Sequence, residues 1–100
     1  MAQVLVSLNA VTSDTDGDVL AFNSPKNVYS MQYIATIPSG SANVYLEASL
    51  DGVNFFIVQN VTLGANVIAS VSGSQPALFI RARAAGLASG RAVTALVAVV

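Results

Sequence analysis

The sequence predicts an all-β sandwich of about eight antiparallel strands, jelly-roll-like or immunoglobulin-like. Three observations predict it: apolar and polar residues alternate over short runs, Gly, Pro, Asn and Asp punctuate the runs, and helical spacing is almost absent. At 100 residues the chain makes one domain, 1–100, with room for a single core. No linker or internal repeat divides it.

The first strand is expected over Ala2 to Thr12, with Val4, Val6 and Leu8 turned one way and Gln3, Ser7 and Asn9 the other. An acidic loop, Asp14-Thr15-Asp16-Gly17-Asp18, leads to a short strand over Val19 to Asn23, ended by Ser24-Pro25. Val28 to Ile37 follows, aligning Tyr29, Met31, Tyr33, Ala35 and Ile37 on one face. After the turn cluster Pro38 to Ser41, the strand Ala42 to Leu50 sets Val44, Leu46, Ala48 and Leu50 against Asn43, Tyr45, Glu47 and Ser49. Asp51-Gly52 suits the positive φ of a tight hairpin turn, and Val53 to Leu63 returns as its partner. Gly64 to Asn66 turns the chain into Val67 to Ser72, and Gly73 to Pro76 turns it into Ala77 to Ala85. There Leu78, Ile80, Ala82 and Ala84 point inward and Phe79, Arg81 and Arg83 outward. Past the small, flexible Gly86 to Gly90, the last strand runs from Arg91 to Val100.

That last strand is apolar on both faces: Val93, Ala95, Val97 and Val99 on one, Leu96, Ala98 and Val100 on the other. Such a strand is buried on both sides, either in the middle of the domain or against a neighbour. An exposed edge of this kind invites aggregation, and the expectation is that a partner subunit covers it.

Composition narrows the function classes. Hydrophobic residues make up 54% and charged residues 9%, where a soluble domain carries about a quarter charged. Spanning a membrane by a helix needs about 18 nearly uninterrupted apolar residues, and the longest run, Ala92 to Val100, is far shorter. The run at Met1 to Leu8 lacks a basic flank, so neither a signal peptide nor a membrane partner is expected. The only basic residues are Lys26, Arg81, Arg83 and Arg91 at net charge −1, too few to track phosphates, so nucleic acid is not an expected partner.

The chain has no His and no Cys, which removes the usual nucleophile–base pairs, thiolate chemistry and zinc sites. Glu47 and Asp51 are read as a solvated strand residue and a turn former. Gly64, Gly73, Gly86 and Gly90 are isolated turn glycines, with no phosphate loop among them. No enzyme is expected, and no catalytic, cofactor-binding or metal residue is assigned; no cofactor is expected. Alternate carboxylates at Asp14, Asp16 and Asp18 are the one pattern suited to a hard cation such as Ca²⁺. Val19 and Pro25 stand where an EF-hand needs its glycine and its bidentate Glu, so an acidic connecting loop is the preferred reading. Tyr29 and Tyr33 are read as core, and a sugar-stacking platform would draw on Tyr45 and Phe55. Arg81 and Arg83 share a strand face, read first as ordinary solvent surface and second as a cross-strand ion pair with Glu47 or a contact for an acidic partner.

The stretch Val44-Tyr45-Leu46-Glu47-Ala48-Ser49-Leu50-Asp51-Gly52-Val53-Asn54-Phe55 resembles a hairpin of small bacteriophage virion proteins: an alternating strand, Ser-x-Asp-Gly, then an aromatic. Tailed-phage capsid decoration (cement) proteins and tail accessory proteins are similar in size, all-β character and lack of Cys. The resemblance implies a virion structural protein that binds and stabilises the capsid lattice as a homo-oligomer, with a trimer favoured. Its partners would be its own copies and the major capsid protein or other virion proteins, with the N-terminal arm Ala2 to Leu8 and the last strand as contacts. Carbohydrate-binding sandwiches use similar hairpins, so a carbohydrate- or receptor-binding module of a phage tail, fibre or adhesin is the alternative.

Overall fold

The computed structural model describes residues 3–88 and 90–99. Ala2 and Val100, the expected ends of the first and last strands, and Ser89 in the Gly86–Gly90 loop lie outside the described residues. Among the described residues nine strands form: β1 (Gln3–Val11), β2 (Thr15–Asp16), β3 (Leu20–Lys26), β4 (Tyr29–Thr36), β5 (Ala42–Ser49), β6 (Phe56–Leu63), β7 (Val67–Gly73), β8 (Ala77–Ala85) and β9 (Ala92–Val99). All pairings are antiparallel.

One sheet has the order β1-β9-β4-β7, and the other runs β2-β8-β5-β6 with β3 also on β8. Both β2 and β3 pair with β8, at Arg83–Ala84 and at Ala77–Ile80, so they act as one interrupted strand. Counted so, eight strands remain, and every connection except the β5–β6 hairpin crosses between sheets. That is the arrangement of a jelly roll rather than of an immunoglobulin fold.

The core lies between the inner faces. The first sheet contributes Leu8, Tyr29, Met31, Tyr33, Ala35, Val93, Ala95, Val97 and Val99. The second contributes a face rich in alanine: Ala42, Ala48, Ala77, Ala82 and Ala84 beside Val44, Leu46, Leu63 and Ile80. Small residues on one sheet opposite tyrosines and Met31 on the other let the layers interdigitate at interior packing density. The Tyr29 hydroxyl, inside this core, donates to the Gln75 carbonyl at 2.6 Å.

Four expectations are corrected. Val4 and Val6 point to solvent, at 64% and 44% exposure, while Leu8 is buried. The register of β1 on β9 shifts between Val6 and Leu8, a bulge that buries Ser7 and Leu8 in succession and inverts the alternation. Strand β3 continues through Ser24-Pro25 to Lys26 because it is a sheet edge with a register shift after Ala21, a place where proline is tolerated. Strand β6 starts at Phe56, not Val53, and Leu50 is exposed, because the Asp51 carboxylate draws the amides of Val53 and Asn54 into a longer turn. The strand β9 lies in the middle of its sheet, paired on both edges to β1 and β4, so its backbone and its inner face are covered from within the fold.

Candidate functional site

The two outer faces of the sandwich differ in kind. On the β8–β5 face, register sets Glu47 beside Arg81 and Tyr45 beside Arg83. Arg81 donates its Nε to Glu47 Oε1 at 2.9 Å, and Arg83 donates its Nε to Glu47 Oε2 at 2.8 Å. The two guanidiniums stack on aromatic rings, Arg81 on Phe55 at 4.0 Å and Arg83 on Tyr45 at 4.1 Å from the ring centroid. Asp16 from β2 approaches Arg81 Nη1 at 3.9 Å. The result is a stacked row, Phe55, Arg81, Glu47, Arg83, Tyr45, whose central glutamate is only 4% exposed although it sits on an outer face.

This corrects the reading of Glu47 as a solvated residue, and it makes the ion pair, not plain solvent surface, the state of Arg81 and Arg83. The hydrogen bond that Arg83 donates to Glu47 raises the pKa of Arg83 above its ordinary value, so the guanidinium stays charged at any physiological pH. Two guanidiniums around one buried carboxylate hold the surface rigid and present N–H donors. Tyr45 and Phe55 each have a guanidinium over the ring, so the sugar-stacking platform would have to form around those arginines. The sequence signal for the cluster was the i, i+2 spacing of Arg81 and Arg83 on one strand; the burial of Glu47 left no signal.

The acidic loop does not gather its carboxylates. Asp14 Oδ1 accepts from the Leu87 amide at 3.0 Å, Asp16 faces Arg81, and Asp18 uses its backbone on Ser7. Among the described residues no three His, Cys, Asp or Glu side chains group as a metal site. What the loop does instead is clasp the sheets. Ser7, buried by the β1 bulge, donates its hydroxyl to the Asp18 carbonyl at 2.7 Å and accepts from the Ala82 amide at 2.9 Å. Gly17 N–H donates to the Ala82 carbonyl at 2.8 Å, and Asp18 N–H to the Ser7 carbonyl at 2.8 Å.

The other outer face carries no charged side chain. The strands β1, β4, β7 and β9 contain no Asp, Glu, Lys or Arg; every charged side chain lies on the opposite sheet or in a loop. Register aligns Val6, Leu96, Gln32 and Ser70 in one row across the sheet, and Thr94, Ile34 and Ile68 in another. The sequence-expected contact elements, the N-terminal arm and the last strand, meet on this face as neighbours.

No protein-family model and no curated protein matches the sequence. Solved structures do match its fold. An SPBc2 prophage-derived protein, YomS, is 12% identical, with a TM-score of 0.63, covering 99% of this chain and 94% of that one. PirA is 9% identical, with a TM-score of 0.60, over 95% of this chain and 90% of its own. A protein of the Bacillus endospore appendages, described as a novel family of disulfide-linked pili, is 14% identical with a TM-score of 0.54, over 98% and 80%. At these identities the likeness is one of fold.

Proposed function

We propose that this chain is a virion structural protein of a tailed bacteriophage, a capsid decoration protein that docks on the lattice and stabilises it while associating with its own copies. The observation that carries the reading is the likeness of fold, end to end, to a prophage-derived protein. Two further features support it. The surface is divided into an uncharged sheet face and a face organised around one buried ion-pair row, which suits contact more than chemistry. The Asp51-Gly52 hairpin, which carries the resemblance to small virion proteins, is tightly built: Asp51 accepts from Ser49, Val53 and Asn54. The reading assigns the chain no catalysis, cofactor or nucleic acid. A pilus-like subunit is a structural rival, but the disulfide linkage named for the appendage pili has no counterpart in a sequence without cysteine.

Docking would remove apolar surface from water at about 25 cal/mol per Å². The test is immunogold electron microscopy of phage particles recovered from cells that carry this gene, with antibody against the purified chain. Gold over heads supports a decoration protein. Gold confined to tails moves the protein to the tail, and unlabelled particles overturn the virion reading.

A further inference from the structure

From the β1-β9-β4-β7 face we infer that two copies of this chain pack face to face through it, as a two-fold pair. The inference deepens the self-association in the reading above and rests on it only there. Its first support is charge. A surface without a single charged side chain accepts only a partner that brings none, because a charge buried there would find no counter-ion. The chain itself supplies such a surface, and only once: the opposite face holds Glu47, Arg81, Arg83 and Asp16.

The second support is exposed apolar area reaching from one edge of this sheet to the other. Val4 is 64% exposed and Val6 44% on one edge strand, Ile34 39% in the middle, and Ile68 69% on the other edge. Between them stand Gln32, Ser70 and Thr94, whose side chains both donate and accept, so a face of this type is complementary to its own copy. The third support is size. Four strands at about 4.8 Å spacing and about eight residues at about 3.3 Å make a face of roughly 500 Å² on each copy. A pair therefore buries roughly 1,000 Å² in all, the lower bound of a specific interface, which corresponds to weak association that a lattice would reinforce. A two-fold contact through one shared face would give a pair where the sequence reading favours a trimer.

The experiment is light scattering after size exclusion, from about 10 µM to about 1 mM, on the wild-type chain and three variants. The wild-type mass is expected to climb from 10.2 kDa toward that of a pair. Ile34→Lys and Ile68→Lys, both at exposed positions that leave the core intact, are expected to weaken association at least about tenfold. Asn60→Lys, on the opposite face, is expected to leave it unchanged; thermal melts confirm that each variant folds. A wild-type chain that stays monomeric at about 1 mM, a stable trimer, or Ile34→Lys and Ile68→Lys variants of undiminished mass would overturn the pairing, as would loss of association in Asn60→Lys. Particle labelling reports separately on the virion role, so either conclusion can fail alone.

Discussion

Arg81 and Arg83 each give their Nε to a different oxygen of one carboxylate, Glu47, at 2.9 and 2.8 Å. The carboxylate is nearly fully buried while the two arginine side chains keep 20% and 29% exposure, so the acid, not the bases, depends on the arrangement. Glu47→Ala leaves two part-buried guanidiniums without their acceptor and is expected to destabilise the fold by about 3 kcal/mol. Glu47→Gln keeps one carbonyl acceptor and should fall between. Replacing all three residues by apolar side chains of similar volume should cost less than Glu47→Ala alone, because no charge is then stranded. Urea midpoints measure all three; a Glu47→Ala midpoint equal to wild type would remove any stabilising part for the row.

The clasp around Ser7 makes a second prediction. Its hydroxyl serves two backbone groups at once, the Asp18 carbonyl and the Ala82 amide. Ser7→Ala strands both and is expected to cost about 1–3 kcal/mol. Gly17→Ala should cost about as much by a different route, since a methyl there would meet the Ser7 hydroxyl and, at 2.5 Å, the Ala82 carbonyl. Hydrogen exchange separates the two routes. The Ala82 amide should exchange faster in Ser7→Ala, and an unchanged rate would show that the hydroxyl does not protect it.

These two clusters mark where the sequence could be read and where it could not. Alternation grouped Tyr29, Met31 and Tyr33 on one face and Val93, Ala95, Val97 and Val99 on another, and all are buried, because period-2 burial is a local property of a strand. It misplaced Val4 and Val6, because a bulge is invisible in a pattern until the partner strand is known. Glu47 was legible as a strand residue but not as a buried one: its burial is made by Arg81 and Arg83, 34 and 36 residues away, and by rings stacked on them. The two-faced apolar pattern of β9 predicts burial on both sides, whereas its inner face is buried and its outer face only half-buried. That its two edges are covered by β1 and β4 follows from topology, which no local pattern carries.

Asp51 sets a pH dependence. Its carboxylate accepts from the amides of Asn54 and Val53 and from the side chains of Asn54 and Ser49, which hold it well below the usual carboxylate range. A carboxylate depressed in the folded state contributes stability that is fully present above its unfolded pKa of about 4 and is lost as pH falls below that. The melting temperature is therefore expected to drop between about pH 4 and about pH 2, and Asp51→Asn, lower at neutral pH, should show a shallower drop over the same window. Calorimetric melts across that range decide it; parallel curves for the two proteins would show that another carboxylate sets the slope. Gly52 next to it has φ +78° and packs against the Phe79 ring, so the turn tolerates no bulkier neighbour to compensate.

Removing the end of β9 gives the last prediction. If that strand lay against a partner, deleting residues 97–100 would release the partner and leave the domain folded. Its position says otherwise. Val97 pairs with Leu5 on one side and Met31 on the other, and Val99 pairs with Gln3 and Tyr29, while both valine side chains are buried in the core. The deletion takes out these contacts and detaches half of β1 from β4, since β9 is the strand between them. The loss should exceed about 5 kcal/mol, the lower range of stability for a whole domain. The truncated chain is expected to show no cooperative thermal transition, whereas Val97→Ala, at a cost of about 2 kcal/mol, should still melt cooperatively. A truncated chain that melts like the wild type would return the strand to an interface role.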